Sequence, residues 1–318
     1  MLRSLEWAFI KKPLRRYESL ANGPNAPVER RLSVTNVLLD AFDLVCNQRG
    51  IGWSWSSKPP PRASDPLPSI ASVVARLLIK LVVFDTSHYL LQYLRPSLNK
   101  PAGDTLFDPT LSPIPRCALA AFFSLCGGLV VYTTVDAMYH FATLIGRVIL
   151  RQPDWAWPPL SDRPWTSTSI MEFWSFRWHQ FFRHMFVVYG ARPGGALLGK
   201  PGACIGAFVV SGILHDLGIW GLGHGIECRT TGGFFVLMGV GAALEFGFKR
   251  VTGRRVGGFW GWAWTVTWTL CWGTVMIDAW ARRGIVASDF FPDRHQPGKW
   301  LVEAIIALSN SQTWYRHI

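Results

Sequence analysis

The sequence predicts an all-α protein, a polytopic transmembrane helical bundle flanked by interfacial helices. Three observations carry this. Apolar runs of near-membrane length recur between residues 70 and 280. Only 16% of the 318 residues are charged and 49% are hydrophobic, whereas soluble domains carry roughly 25% charged residues. The basic residues of a chain with net charge +12 cluster beside the apolar runs, at Lys11, Lys12, Arg15, Arg16, at Arg30, Arg31, at Lys249, Arg250, Arg254, Arg255 and at Arg282, Arg283. That is the distribution expected of cytoplasmic loops. No nucleic-acid-binding motif accompanies the basic residues, so nucleic acid is not expected as a partner. A basic cytosolic face also suits a polyanion such as coenzyme A.

The elements follow in order. Residues 1–68 read as a polar, interfacial N-terminal segment that ends in a Pro-rich linker, "SSKPPPRASDPLPS". The start, "MLRSLEWAFIKKPLRRYES", is basic and partly apolar, which suits an interfacial helix better than a cleaved signal peptide. Residues 69–318 read as the membrane-embedded part. The run at 70–94 is long enough to cross about 30 Å of hydrocarbon, although it carries Arg76, Lys80, Asp85 and His88. Asp85 and His88 are spaced to meet on one helical face, as are Asp136 and His140. Cys117 to Leu150 would make a helix of about 51 Å, too long for one upright span, so a break or extension is expected. A Trp- and Pro-rich loop at 151–168 suits the headgroup level.

"SIMEFWSFRWHQFFRHMFVVYG" is aromatic and basic and reads as an interfacial or re-entrant helical segment. Gly and Pro punctuate residues 190–202. Further runs lie at 203–223, 231–248 and 257–280, with a short one at 300–308. Gly202-x-x-x-Gly206 and Gly257-x-x-x-Gly261 permit close helix packing. Trp260, Trp264, Trp268 and Trp272 form a stripe that serves either packing and interface anchoring or as the wall of a site for a flat lipophilic substrate.

The cysteines form no CxxC pair, so neither a zinc site nor a redox motif is expected. HExxH and GxSxG are also missing, and "GLGHG" near His224 lacks the phosphate-loop pattern. Two constellations remain. In "FVVSGILHDLGIW", His215 and Asp216 interrupt an apolar run. They lie about 100° apart on a helix, so they do not form a relay with each other. Ionisable residues inside a span point to function, and a neutral imidazole can accept a hydroxyl proton. A satisfied structural histidine is the competing reading. The second constellation, Glu172 to His184, gathers Arg177, His179, Gln180, Arg183 and His184 among aromatics. By itself it also fits an interfacial helix with snorkelling basic side chains.

Together, "FWSFRWHQ" and "GAFVVSGILHDLGIW" resemble the wax-synthase branch of the membrane-bound O-acyltransferases, in its fungal form. That family shows F-W-x-x-R-W-[N/H] and, downstream, S-G-x-x-H-[E/D]. Here these are Phe173, Trp174, Arg177, Trp178 and His179, then Ser211, Gly212, His215 and Asp216. "RGIGW", Arg49 to Trp53, is similar to the fungal branch as well. The chain has His179 where the family often has Asn, and Asp216 where it often has Glu.

The resemblance implies a multi-pass enzyme of the endoplasmic reticulum with a central reaction chamber and no bound cofactor or metal. Its substrates would be acyl-CoA, acetyl-CoA first, and a lipophilic alcohol, either terpenoid-type or a long-chain fatty alcohol. His215 would be the catalytic base. His179, Arg177 or backbone N–H groups would bind the oxyanion, with Asp216, Trp174, Trp178 and Ser211 in support. A transporter or a non-catalytic membrane protein is the alternative, and a soluble basic binding protein is disfavoured by the apolar runs.

Overall fold

The computed structural model describes residues 14–16, 33–56, 68–288, 290–291 and 296–314. The expected N-terminal interfacial helix and most of the Pro-rich linker lie outside these residues. Among the described residues the regular elements are helical, apart from one isolated bridge between Arg16 and Trp53. The long helices are α1 (Val34–Cys46), α2 (Ile70–Leu94), α3 (Pro113–Leu144), α4 (Arg192–Gly221), α5 (Gly233–Thr252), α6 (Gly258–Ala281) and α7 (Pro297–Trp314). Helix α2 packs on α3 and α7, α3 on α6, α4 on α5, and α5 on α6.

The polarity of the bundle is inside-out. Val74, Leu78, Ile79, Phe122, Leu125 and Leu129 are exposed, while Asp85, Asp136, Asp216, Glu245 and Asp278 are buried. Apolar side chains facing outwards are at home in lipid. A buried carboxylate survives only with compensating donors. Asp136 pairs with Lys80 at 3.1 Å across α2 and α3, and the Lys80 ammonium also lies 3.8 Å from the Tyr132 ring centroid. Asp278 accepts from Leu106 N and Thr105 Oγ1, each at 2.7 Å. Asp85 accepts from Gly298 N at 2.6 Å and so docks α7 on α2.

The expected Asp136–His140 pair does not form, because Lys80 takes the carboxylate and His140 Nδ1 bonds the Asp136 carbonyl at 2.6 Å. His88 bonds the Val286 carbonyl through Nε2 at 2.9 Å.

Among the described residues, three stretches are long and apolar enough to cross a membrane: Pro113–Ile149, Arg183–Gly221 and Cys228–Thr252. Helix α2 has the length but carries Arg76, Lys80 and Asp85, and α6 has the length with its apolarity diluted by tryptophan. The extension expected after α3 is a π-helical turn, Ile145–Ile149. Helix α1, absent from the sequence reading, buries none of its residues and exposes Val34, Leu38, Phe42 and Val45 along one face.

The stretch Arg183–Gly221 is a hairpin. The chain folds back at Leu198 (φ −130°, ψ 16°) and Gly199 (φ 64°, ψ −150°), a conformation that Gly199 adopts without Cβ strain. A Cβ at Gly190 would strike the Gly206 carbonyl, and one at Gly194 the Gly202 carbonyl. These pairs run in opposite chain directions, so the arms lie antiparallel in backbone contact. The second arm, 200–221, is about 33 Å long, whereas the first, 183–197, is about 22 Å and shorter than the hydrocarbon core of about 30 Å. Gly202 and Gly206 thus provide the close packing expected of them. Gly261 does not pack on a helix: it makes room for the Thr168 carbonyl in the preceding loop.

Candidate active site

A cavity of about 230 Å³ opens between the hairpin and the Trp-rich segment before it. Its wall includes Trp174, Trp178, His179, Arg183, Ser211 and His215. Most of the remaining wall is apolar, from Phe186 and Val187 on the first arm to Ala203, Cys204, Ala207 and Phe208 on the second.

Local folding positions His179. Ser169 caps a short helical turn, and Glu245 of α5 accepts from Ile170 N at 2.6 Å and Met171 N at 3.1 Å at that turn's start. The turn widens into a π-helical turn at Phe173–Arg177 and is closed by Trp178 N donating to the Phe173 carbonyl at 2.7 Å. Such wide turns recur at functional sites. The chain then extends at Trp178 (ψ 159°), so the interfacial or re-entrant helical segment expected across this motif is interrupted before Arg183. Two backbone bonds to the preceding loop hold the extended residues, Asp162 N to Arg177 O at 2.9 Å and Gln180 N to Leu160 O at 3.2 Å. Gln180 Nε2 donates to the Trp178 carbonyl at 2.8 Å. Arg49, from the "RGIGW" turn, braces that loop from behind through Pro158 O at 2.8 Å and Tyr139 Oη at 2.9 Å.

His215 sits on the second arm. Its Nδ1 lies 2.8 Å from the Ser211 carbonyl, and its ring packs 4.2 Å from that of Phe235. A carbonyl only accepts, so Nδ1 carries the proton and Nε2 keeps a free lone pair. Among the described residues nothing bonds that Nε2.

His179 has the complementary problem. Its Nδ1 is buried without a hydrogen-bond partner. An orphaned lone pair is tolerated more readily than an orphaned N–H, which favours the proton on Nε2, the nitrogen left for the cavity. Burial, and secondarily the nearby His215, pushes the His179 imidazole down to about 4. It is therefore neutral at physiological pH. One wall of the cavity thus offers an imidazole acceptor and the other an imidazole donor.

The supporting candidates divide. Trp174 and Trp178 line the cavity with their rings 5.8 Å apart, and Trp178 stacks on Phe173 at 5.4 Å. Ser211 orients His215 through its carbonyl. Arg177 is not in the cavity wall. Its Nε donates to Glu172 Oε1 at 2.7 Å and its Nη1 to the Asp162 carbonyl at 3.3 Å, so it clamps the turn and is not available as an oxyanion donor. Asp216 also points away from the cavity. It is buried and accepts from Glu227 N at 3.1 Å, pinning the loop between α4 and α5.

Within the Trp260–Trp272 stripe, Trp260 is exposed, and Trp268 and Trp272 pack against the core. Trp264 donates to Glu245 at 3.1 Å, Trp268 to the Leu237 carbonyl at 3.1 Å, and none of the four lines the cavity. The small residues of the hairpin that line the cavity were not singled out from sequence as site residues; the hairpin's glycine spacing was the available signal.

Residues 157–237 match the Membrane bound O-acyl transferase family, a segment that contains both constellations. An O-Mevalon transferase of Aspergillus niger is 26% identical over 247 residues, covering 68% of this chain and 50% of that protein. A long-chain-alcohol O-fatty-acyltransferase of Simmondsia chinensis is 28% identical over 106 residues, 31% of this chain and 30% of that protein. An acetyltransferase of Calcarisporium arbuscula is 26% identical over 153 residues, 45% of this chain and 37% of that protein. The chain therefore spans about half the length, or less, of these relatives. The matched segment carries the F-W-x-x-R-W-H and S-G-x-x-H-D residues that contribute to the cavity wall and its bracing, and over that segment the chain is similar to the Membrane bound O-acyl transferase family.

Proposed function

We propose that the protein is an acyl-CoA-dependent O-acyltransferase acting on a lipophilic alcohol in the membrane of the endoplasmic reticulum. The observation that carries this is the pairing of His215 Nε2, fixed as an acceptor by the Ser211 carbonyl, with His179 across a largely apolar cavity. His215 Nε2 takes the hydroxyl proton as the alcohol oxygen attacks the thioester carbonyl carbon. The carbonyl oxygen becomes an oxyanion, to which His179 Nε2–H donates. Collapse breaks the C–S bond, and the departing thiolate takes the proton back from His215. Ester and free CoA thiol leave, and both imidazoles return to their starting state.

The apolar walls suit an acceptor that arrives from the bilayer, and the basic loop residues suit the CoA phosphates. Acetyl is the acyl group proposed first, with a terpenoid-type or long-chain alcohol as acceptor, in keeping with the names of the relatives. The test is expression in a membrane fraction with a panel of acyl-CoAs and hydrophobic alcohols. The expected result is release of free thiol that depends on the alcohol, with the matching ester identified by mass spectrometry. Thiol release that does not depend on any alcohol would refute transfer.

A further inference from the structure

We infer that Arg183 is a second oxyanion-binding group, its guanidinium donating to the thioester carbonyl oxygen as that oxygen becomes negative. The inference rests on the acyl-transfer reading above. Arg183 lines the same cavity as His179 and His215 and, among the described residues, is the only wall residue with a permanent charge. The carboxylates on the segments that build the cavity are engaged elsewhere. Glu172 bonds Arg177 and Thr168, Glu245 bonds Ile170, Met171 and Trp264, and Asp216 bonds Glu227. Among the described residues, none accepts a hydrogen bond from Arg183 or pairs with it.

The contrast with Arg177 is informative. Six residues earlier in the chain, the same side chain is paired with Glu172 and Asp162. An unpaired cation beside apolar walls is costly, and arginine cannot escape the cost by losing its proton. A negative charge that develops inside the cavity would remove that cost at the moment it forms. The tetrahedral oxyanion is such a charge, and the guanidinium fork can share it with the single N–H of His179. No atom is transferred to or from Arg183: the proton moves between the alcohol, His215 and the thiolate as described.

The test compares purified wild-type protein with R183K, R183M and R183A in one detergent, with monodispersity checked by size exclusion. R183M should lower kcat on the order of 10²–10³-fold, as expected for loss of an oxyanion donor, with little change in KM for either substrate. R183K should keep part of the rate, and added guanidinium ion should restore part of the kcat of R183A. A raised KM for acyl-CoA with kcat preserved would overturn the inference in favour of a site for the donor's phosphates. Unchanged kcat and KM in monodisperse R183M would overturn it in favour of a lipid-facing arginine. Absence of ester from wild-type protein would overturn the acyl-transfer reading itself; wild-type turnover that R183M retains overturns only the role of Arg183.

Discussion

The buried carboxylates of the bundle and the polar groups of the cavity face the same low-dielectric surroundings and meet them differently. Asp136 has Lys80, Glu245 has two backbone N–H groups and an indole N–H, and Asp278 has Leu106 N, Thr105 and Arg282. Each is satisfied within the fold. Around the cavity, His179 Nδ1 is orphaned, and among the described residues His215 Nε2 and the Arg183 guanidinium have no partner. Satisfied buried groups hold a fold together, and unpaired polar groups that line a cavity are candidates for completion by a substrate. Asp216 and His215 show the division between adjacent residues. The aspartate is bonded into the α4–α5 loop, and the histidine turns its free nitrogen to the cavity.

Substitution tests that division. His215→Ala should reduce ester formation by at least about 10²-fold, the low end of general-base contributions, with membrane insertion and monodispersity unchanged. A well-expressed variant with near-normal turnover would move His215 to the structural side of the comparison. His179→Ala should cost on the order of 10²–10³-fold if the ring is an oxyanion donor. His179→Asn, whose amide N–H₂ can still donate, should fall between wild type and Ala. Equal loss in both variants would instead mark an acid–base role, and no loss a merely interfacial one. Because burial holds this imidazole neutral down to about 4, the ratio of wild-type to His179→Asn activity should stay flat across the neutral pH range.

The carboxylates should respond in stability first. Glu245→Ala strands Ile170 N, Met171 N and Trp264 Nε1, at about 1–3 kcal/mol per stranded group. A lowered Tm in detergent should accompany a smaller loss of rate, because the turn that leads to His179 loosens. A catalytic loss as deep as that of His215→Ala, at unchanged Tm, would break the comparison. Asp216→Asn should have the smallest effect. The amide oxygen can still accept from Glu227 N, so turnover should remain within about tenfold of wild type.

The sequence made the helices legible through their apolar runs, and it made His179 and His215 legible through the expense of placing them there. It was less informative where pairing depends on distant parts of the chain. Lys80 and Asp136 lie on different helices, and an i,i+4 neighbour offered a nearer partner that the fold does not use. Arg177 and Arg183 have the same chemistry in one motif, and only the fold separates a clamp on Glu172 from a free cation in the cavity. The hairpin was half legible. Gly202 and Gly206 signalled a close approach, but their partners Gly194 and Gly190 follow from the reversal at Leu198–Gly199. The tryptophan stripe of α6 was ambiguous, because packing and substrate walls use the same residue at the same spacing.

The central claim is that the unsatisfied cavity groups carry out acyl transfer while their satisfied neighbours hold the frame. The most direct measurement gives purified wild-type, His215→Ala and Asp216→Asn proteins the same acyl-CoA and lipophilic alcohol, and quantifies ester and free thiol together. The account predicts equal amounts of ester and thiol from wild type and from Asp216→Asn, with both products falling together by at least about 10²-fold in His215→Ala. Undiminished ester from His215→Ala, or a loss in Asp216→Asn as deep as that in His215→Ala, would contradict it.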